Sequence, residues 1–170
     1  SGGTKYRITT YETSGGDAWM QVGSISSHLS TASISTSVWG AGGVYPINAN
    51  VAAADTGYAA PTFYTGSSAA SSITSFFTAS YTGSRNDFTG NVGYEFTPSA
   101  DIIVSALGRP VSGTMSYDHS VKIWRVSDQA IVASATVSPS SATDGLGYKY
   151  SQLASSVTLS VGTKYRITTY

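Results

Sequence analysis

Residues 4–11 read Thr4-Lys5-Tyr6-Arg7-Ile8-Thr9-Thr10-Tyr11, and residues 163–170 read Thr163-Lys164-Tyr165-Arg166-Ile167-Thr168-Thr169-Tyr170, the same residues in the same order. Extended upstream, Ser1–Tyr11 and Ser160–Tyr170 agree everywhere except at Gly2 against Val161. Chance does not produce such a match, so the chain carries one segment twice. Within it Tyr6 and Ile8 fall on one parity, and Lys5, Arg7 and Thr9 on the other. Period-two alternation of aromatic and β-branched residues against polar ones is the pattern of a half-buried β-strand. Two origins fit the repeat: one frame of a longer tandem array, or a deliberate rearrangement that copied a strand across a seam.

The same alternation recurs along the chain. Val92–Phe96 alternates, and Asp101–Leu107 (DIIVSAL) is a short apolar run suited to a core strand. Val121–Val126 and Ile131–Val137 flank the polar turn Ser127-Asp128-Gln129-Ala130 and predict a hairpin, with Ile131, Ala133, Ala135 and Val137 on one face. Gly147–Ser151, Val157–Val161 and Thr62–Tyr64 are further strands. Ala18, Met20 and Val22 form one apolar face; Ala32, Ile34 and Val38 form another. Helical periodicity is weak throughout, and Gly57 and Pro61 interrupt the alanine-rich window that begins at Ala52. The expectation is an all-β fold with no substantial helix: an antiparallel β-sandwich, jelly-roll-like, of about nine strands. A Greek-key immunoglobulin-like sandwich is the alternative.

Composition narrows the function classes. The chain has 170 residues, 41% of them hydrophobic, enough for one domain with its own core. Charged residues are only 11% while Ser and Thr number 51, so hydroxyls rather than charges solvate the surface. Nine basic and nine acidic residues cancel, and no basic cluster exists to capture nucleic acid or an anionic membrane. No apolar run approaches the roughly 20 residues of a membrane-spanning helix. With no cysteine, disulfides, thiolate metal sites and thiol catalysis are excluded.

From Phe76 to Tyr170 the chain resembles a family of bacterial extracellular β-sandwich modules of unknown function, which accompany secreted hydrolases or sit in large surface proteins. The resemblance rests on Gly93–Phe96 (GYEF), Ala106–Arg109 (ALGR), Lys122–Trp124 (KIW) and Gly162–Ile167 (GTKYRI). In such modules the last strand continues into ETSGGDAW, which here follows the first copy, at Glu12–Trp19. The resemblance therefore implies a circularly permuted order. Residues 1–64 are the C-terminal half of the family-like domain, 73–170 are the N-terminal half, and the small, polar stretch 65–72 is a linker. It also implies a secreted or cell-surface location.

One sandwich has one place for the repeated strand, yet each chain carries two copies. The expected partner is therefore a copy of the same chain, joined by strand exchange or tandem linkage into a head-to-tail series. Residues Thr4–Tyr11 and Thr163–Tyr170 are the expected assembly strands of a non-catalytic structural module: a surface repeat, fibre subunit or engineered scaffold. The alternative is a carbohydrate-binding accessory module of a secreted enzyme. Trp19 and Trp39 are its candidate platforms for polysaccharide, both on the parity opposite an apolar face, while Trp124 reads as core.

No constellation for catalysis stands out. Asp118, His119 and Ser120 carry the residue types of a hydrolase triad, but neighbours in a strand point to opposite faces and cannot assemble one. Calcium is the metal best suited to the composition, with Glu12, Asp17, Asp87 and Asp144 as candidate oxygen ligands. As turn formers these residues have an equally good structural reason to be present. Lys5, Lys122, Lys149 and Lys164 are candidates for an intramolecular crosslink to asparagine.

Overall fold

Strands follow from β-branched and aromatic residues alternating with hydroxyl residues, and breaks fall where glycine, proline or serine clusters occur. The computed structural model describes residues 19–27, 32–49, 57–58, 61–65, 74–85, 89–111 and 113–170. Among them are β1 (Trp19–Ser27), β2 (Ala32–Ala41), β3 (Asn48–Ala49), β4 (Gly57–Tyr58), β5 (Thr62–Thr65), β6 (Thr74–Ser75), β7 (Phe77–Arg85), β8 (Gly90–Pro98), β9 (Ile102–Pro110), β10 (His119–Arg125), β11 (Ile131–Val137), β12 (Ala142–Thr143), β13 (Tyr148–Leu159) and β14 (Tyr165–Thr169). Setting aside the two-residue pieces β3, β4, β6 and β12, ten strands remain, close to the expected nine.

Six strands form one antiparallel sheet in the order β11-β10-β14-β8-β2-β3, and five form a second in the order β12-β13-β9-β5-β6. A smaller array, β4-β1-β7, adjoins them in sequence. The two larger sheets pack face to face, so the fold is an all-β antiparallel sandwich. Tyr94, Phe96, Val121, Ile123, Tyr165 and Ile167 fill the interior from the first sheet; Phe63, Ile102, Val104, Leu107 and Leu159 meet them from the second. Phe63 stacks on Phe76 at 4.1 Å, and Phe96 lies 5.4 Å from Phe76 and 5.9 Å from Tyr165, an aromatic seam across the core.

The hairpin β10–β11 forms as expected, β11 on its expected bounds and β10 over His119–Arg125 rather than Val121–Val126, with the Asp128 carboxylate accepting from the Ala130 amide and pairing with Arg125 in the turn. Two local features depart from simple alternation. Gly147–Ser151 and Val157–Val161, expected as two strands, fall instead largely within β13, which runs from Tyr148 to Leu159. Its register against β9 jumps between Gln152 and Val157 while β9 advances only from Ala106 to Val104, so residues 153–156 bulge out of the ladder. In β2, Ile34 pairs with Phe96 but Thr36 pairs with Glu95, leaving Ser35 as an extra residue. That bulge reverses the parity. Ile34 packs on the core, whereas Val38 lies on the opposite face of the sheet, not beside it as alternation alone predicts.

The segment expected as a linker falls largely outside the described residues; the strands beside it, β5 and β6, pair with each other through Tyr64–Ser75 and Thr65–Thr74. β2, β3 and β5 thus lie in the same two sheets as β6 and β8–β14, while β4 and β7 join β1 in the smaller array.

A second aromatic group sits where β5, β7, β9 and β13 meet. Tyr64 stacks on Tyr150 at 3.7 Å, and the hydroxyls of Tyr81 and Tyr148 hydrogen-bond to one another. Burial holds both phenols neutral; the Tyr148 pKa is pushed up to about 12 from 10.0, and that of Tyr81 is raised further. The unfolded chain releases these protons first as pH rises. The stabilisation is therefore present below pH 10 and is lost as pH climbs toward the folded value, on the order of 2–3 kcal/mol from Tyr148 alone. Thermal melts from about pH 9 to about pH 12 should show that fall, and Tyr148→Phe should make it shallower, with Tyr81 supplying the remainder.

Candidate functional site

The repeated segment decides where to look. Its C-terminal copy is β14, and β14 sits in the middle of the six-stranded sheet, antiparallel to β10 on one side and β8 on the other. Pairing continues to the last residue, where Ser120 and Tyr170 exchange both backbone hydrogen bonds. All five residues Tyr165–Thr169 are buried. The half-buried reading of this strand is thus corrected: both of its faces are covered. The first copy, Thr4–Tyr11, lies outside the described residues.

Tyr165 and Ile167 face the core, and the Tyr165 hydroxyl accepts from the Ser160 amide at 3.0 Å. Arg166 and Thr168 face outward, where solvent would be expected. Instead the connection from β2 to β3 folds back over them as a strap, residues 42–47. Its path follows from composition: Gly42 turns the chain at φ 65°, and Pro46 lies so close to Gly40 that a side chain there would press on it at 2.8 Å.

Arg166 anchors the strap to the sheet. Its Nη2 and Nε lie 2.9 Å and 3.0 Å from Glu95 Oε2, its Nη1 donates to the Pro46 carbonyl, and its guanidinium lies 5.0 Å from the centre of the Tyr45 ring. The other Glu95 oxygen takes Lys164 Nζ at 3.2 Å and the Ser35 hydroxyl at 3.3 Å. The β2 bulge therefore has a role: the extra residue is the one that reaches this carboxylate. Glu95 is only 6% exposed, and a buried carboxylate needs such partners to remain charged.

Thr168 carries a second relay. Trp124 Nε1 donates to its hydroxyl at 2.9 Å, and the hydroxyl donates to Asn91 Oδ1 at 3.4 Å. The Asn91 amide then donates to the strap carbonyls of Gly42 and Val44 at 3.3 Å and 2.5 Å. Lys122 Nζ donates to the Gly43 carbonyl at 3.1 Å and sits over the Trp124 ring, whose other neighbour is the Tyr45 edge at 5.7 Å. Trp124 is buried as expected, but beneath the strap and not between the sheets.

Gly93, opposite Thr168, completes the slot. A Cβ there would overlap the Ile167 carbonyl, so glycine is what lets β14 approach β8. Together, Glu95, Asn91, Trp124, Gly93 and the strap make contact with each outward feature of one strand sequence. Repeats and alternation point to β14; nothing local in the sequence marks Glu95, Asn91 or the strap, since each joins residues far apart in the chain.

The remaining candidates are placed as follows. Lys164, Tyr165, Arg166, Ile167, Thr168 and Thr169 come together in the slot. Trp39 is half-buried and pairs with Val92. Trp19 lies in β1, its side chain outside the described residues. Asp144 Oδ1 accepts the amides of Leu146 and Tyr148, which is turn formation. Glu12, Asp17 and Asp87 lie outside the described residues, and among the described residues no cluster of metal-ligating side chains occurs. His119 is buried with Nδ1 3.2 Å from the Tyr170 carbonyl, while Asp118 is exposed. Lys149 Nζ donates to the carbonyls of Pro139 and Ser141. Among the described residues no helix is long and apolar enough to cross a membrane. No family model, curated protein or solved structure matches the chain.

Proposed function

We propose that the chain is a non-catalytic structural module of an extracellular or surface protein, and that it associates with copies of itself by exchanging the duplicated strand. One observation carries this reading: a central slot between β8 and β10, filled by Tyr165–Thr169, holds side chains that the chain carries a second time at Tyr6–Thr10. The bacterial, secreted setting rests on the family resemblance of the slot-forming motifs, GYEF in β8 and KIW in β10.

Exchange between chains leaves the slot's contacts almost unchanged, because identical residues replace one another. Association is then opposed mainly by the loss of translational and rotational freedom, so it is favoured only at high protein concentration. It is also slow, since β14 must leave the centre of a sheet before a neighbour's copy can enter.

The test is light scattering on the full chain after long incubation over a range of concentrations. Mass rising with concentration in steps of one chain is the expected result. Arg7→Glu should abolish the rise while leaving the melting temperature within about 1 °C, because the resident strand keeps Arg166. A chain that remains monomeric at every concentration sinks the proposal.

A further inference from the structure

The outward face of β14 offers more than shape. Arg166 is held by a carboxylate, a carbonyl and an aromatic face at once: Glu95 at 2.9 Å and 3.0 Å, the Pro46 carbonyl, and the Tyr45 ring at 5.0 Å. These three groups come from β8 and the strap and converge on the second residue of the strand. Only arginine fits all of them. Its planar fork has donors on several edges and a flat face for the ring, whereas lysine is a single point charge and glutamine lacks the charge that Glu95 requires.

We infer that Glu95, Tyr45 and Pro46 form a selectivity site for arginine, so that the sheet admits a Tyr-Arg-Ile-Thr strand and rejects strands with another residue at that position. This rests on the strand-exchange reading and names its partner: the Thr4–Tyr11 segment of a second copy, which brings Arg7 to the same register. The strap makes the choice before the strand is sealed in. A strand without arginine leaves Glu95 buried without its guanidinium partner and the Pro46 carbonyl without its donor, so the strap has nothing to close on.

The test is hydrogen exchange on the full chain, following two peptides that mass distinguishes, residues 1–11 and residues 160–170. In the unmodified chain, protection lies with 160–170. In Arg166→Gln the remaining arginine-bearing copy is the first, so protection should pass to residues 1–11, whose amides should slow at least tenfold. In the double variant Arg7→Gln with Arg166→Gln neither copy carries the arginine, so the pocket no longer distinguishes them and the resident strand keeps its place. Protection should then stay with 160–170 but weaken at least tenfold.

The inference is overturned if Arg166→Gln keeps its protection at 160–170, or if that variant loses its folded near-ultraviolet signal although a matching copy is at hand. Transfer of protection in a chain that stays monomeric would leave arginine selection standing and remove the exchange reading. Concentration-dependent assembly with no transfer would do the reverse.

Discussion

Gly93→Ala is expected to destabilise the chain by at least about 3 kcal/mol, lowering its melting temperature by roughly 6–12 °C. The reason is geometric. A Cβ at position 93 overlaps the Ile167 carbonyl and comes within 2.9 Å of Thr168 Cα, and both are backbone atoms. No side-chain rotation relieves that clash, so β8 and β14 must separate in the middle of the six-stranded sheet. Either copy of the segment would meet the same obstacle, because any strand in the slot places backbone there. The spare copy therefore cannot rescue this variant. Calorimetry measures the loss; a melting temperature within about 2 °C of the parent would mean that the slot is wider than described.

Glu95→Ala is the second large effect, about 3–5 kcal/mol, because it leaves the Arg166 guanidinium in the sheet without its carboxylate. The Arg166 side chain is only 10% exposed, so water does little to replace the lost partner. Lys164 also loses its partner, but at 53% exposure that pair adds little. Substituting Arg166 itself should be milder, since the first copy supplies another arginine to the same pocket. The contrast between the slot side and the strand side is what a redundant strand predicts. Equal losses for Glu95→Ala and Arg166→Ala in chemical denaturation would speak against it.

Much of the sandwich was legible because its strands carry their burial in local alternation. Ile131–Val137 ends where alternation ends, and Val92–Phe96 lies within β8. What was not legible depends on two kinds of physics. The first is the bulge. Ser35 in β2 and residues 153–156 in β13 insert residues without changing composition, so parity reverses or a strand seems to stop with no mark in the sequence. The second is coverage at long range. Arg166 and Thr168 look like solvent-facing positions from their neighbours alone, yet both are buried: Arg166 bonds the Pro46 carbonyl, 120 residues away, and Thr168 bonds Trp124 and Asn91. Alternation reports which residues share a face. It does not report whether a distant loop covers that face.

Under the strand-exchange proposal, the duplicated segment supplies two identical claimants for the slot between β8 and β10, whose Arg166 pocket is formed by Glu95, Pro46 and Tyr45. The absence of cysteine makes this directly testable. Lys122 lies opposite Thr168 in the ladder, at a Cα separation of about 5.5 Å that suits a disulfide. The corresponding residue of the first copy is Thr9. Chains carrying Thr9→Cys should be mixed with chains carrying Lys122→Cys, incubated at high concentration and oxidised. A covalent heterodimer that disappears when Arg7→Glu is added to the first chain is the expected result. Failure of the heterodimer to form, while Lys122→Cys with Thr168→Cys closes readily within one chain, would contradict strand exchange.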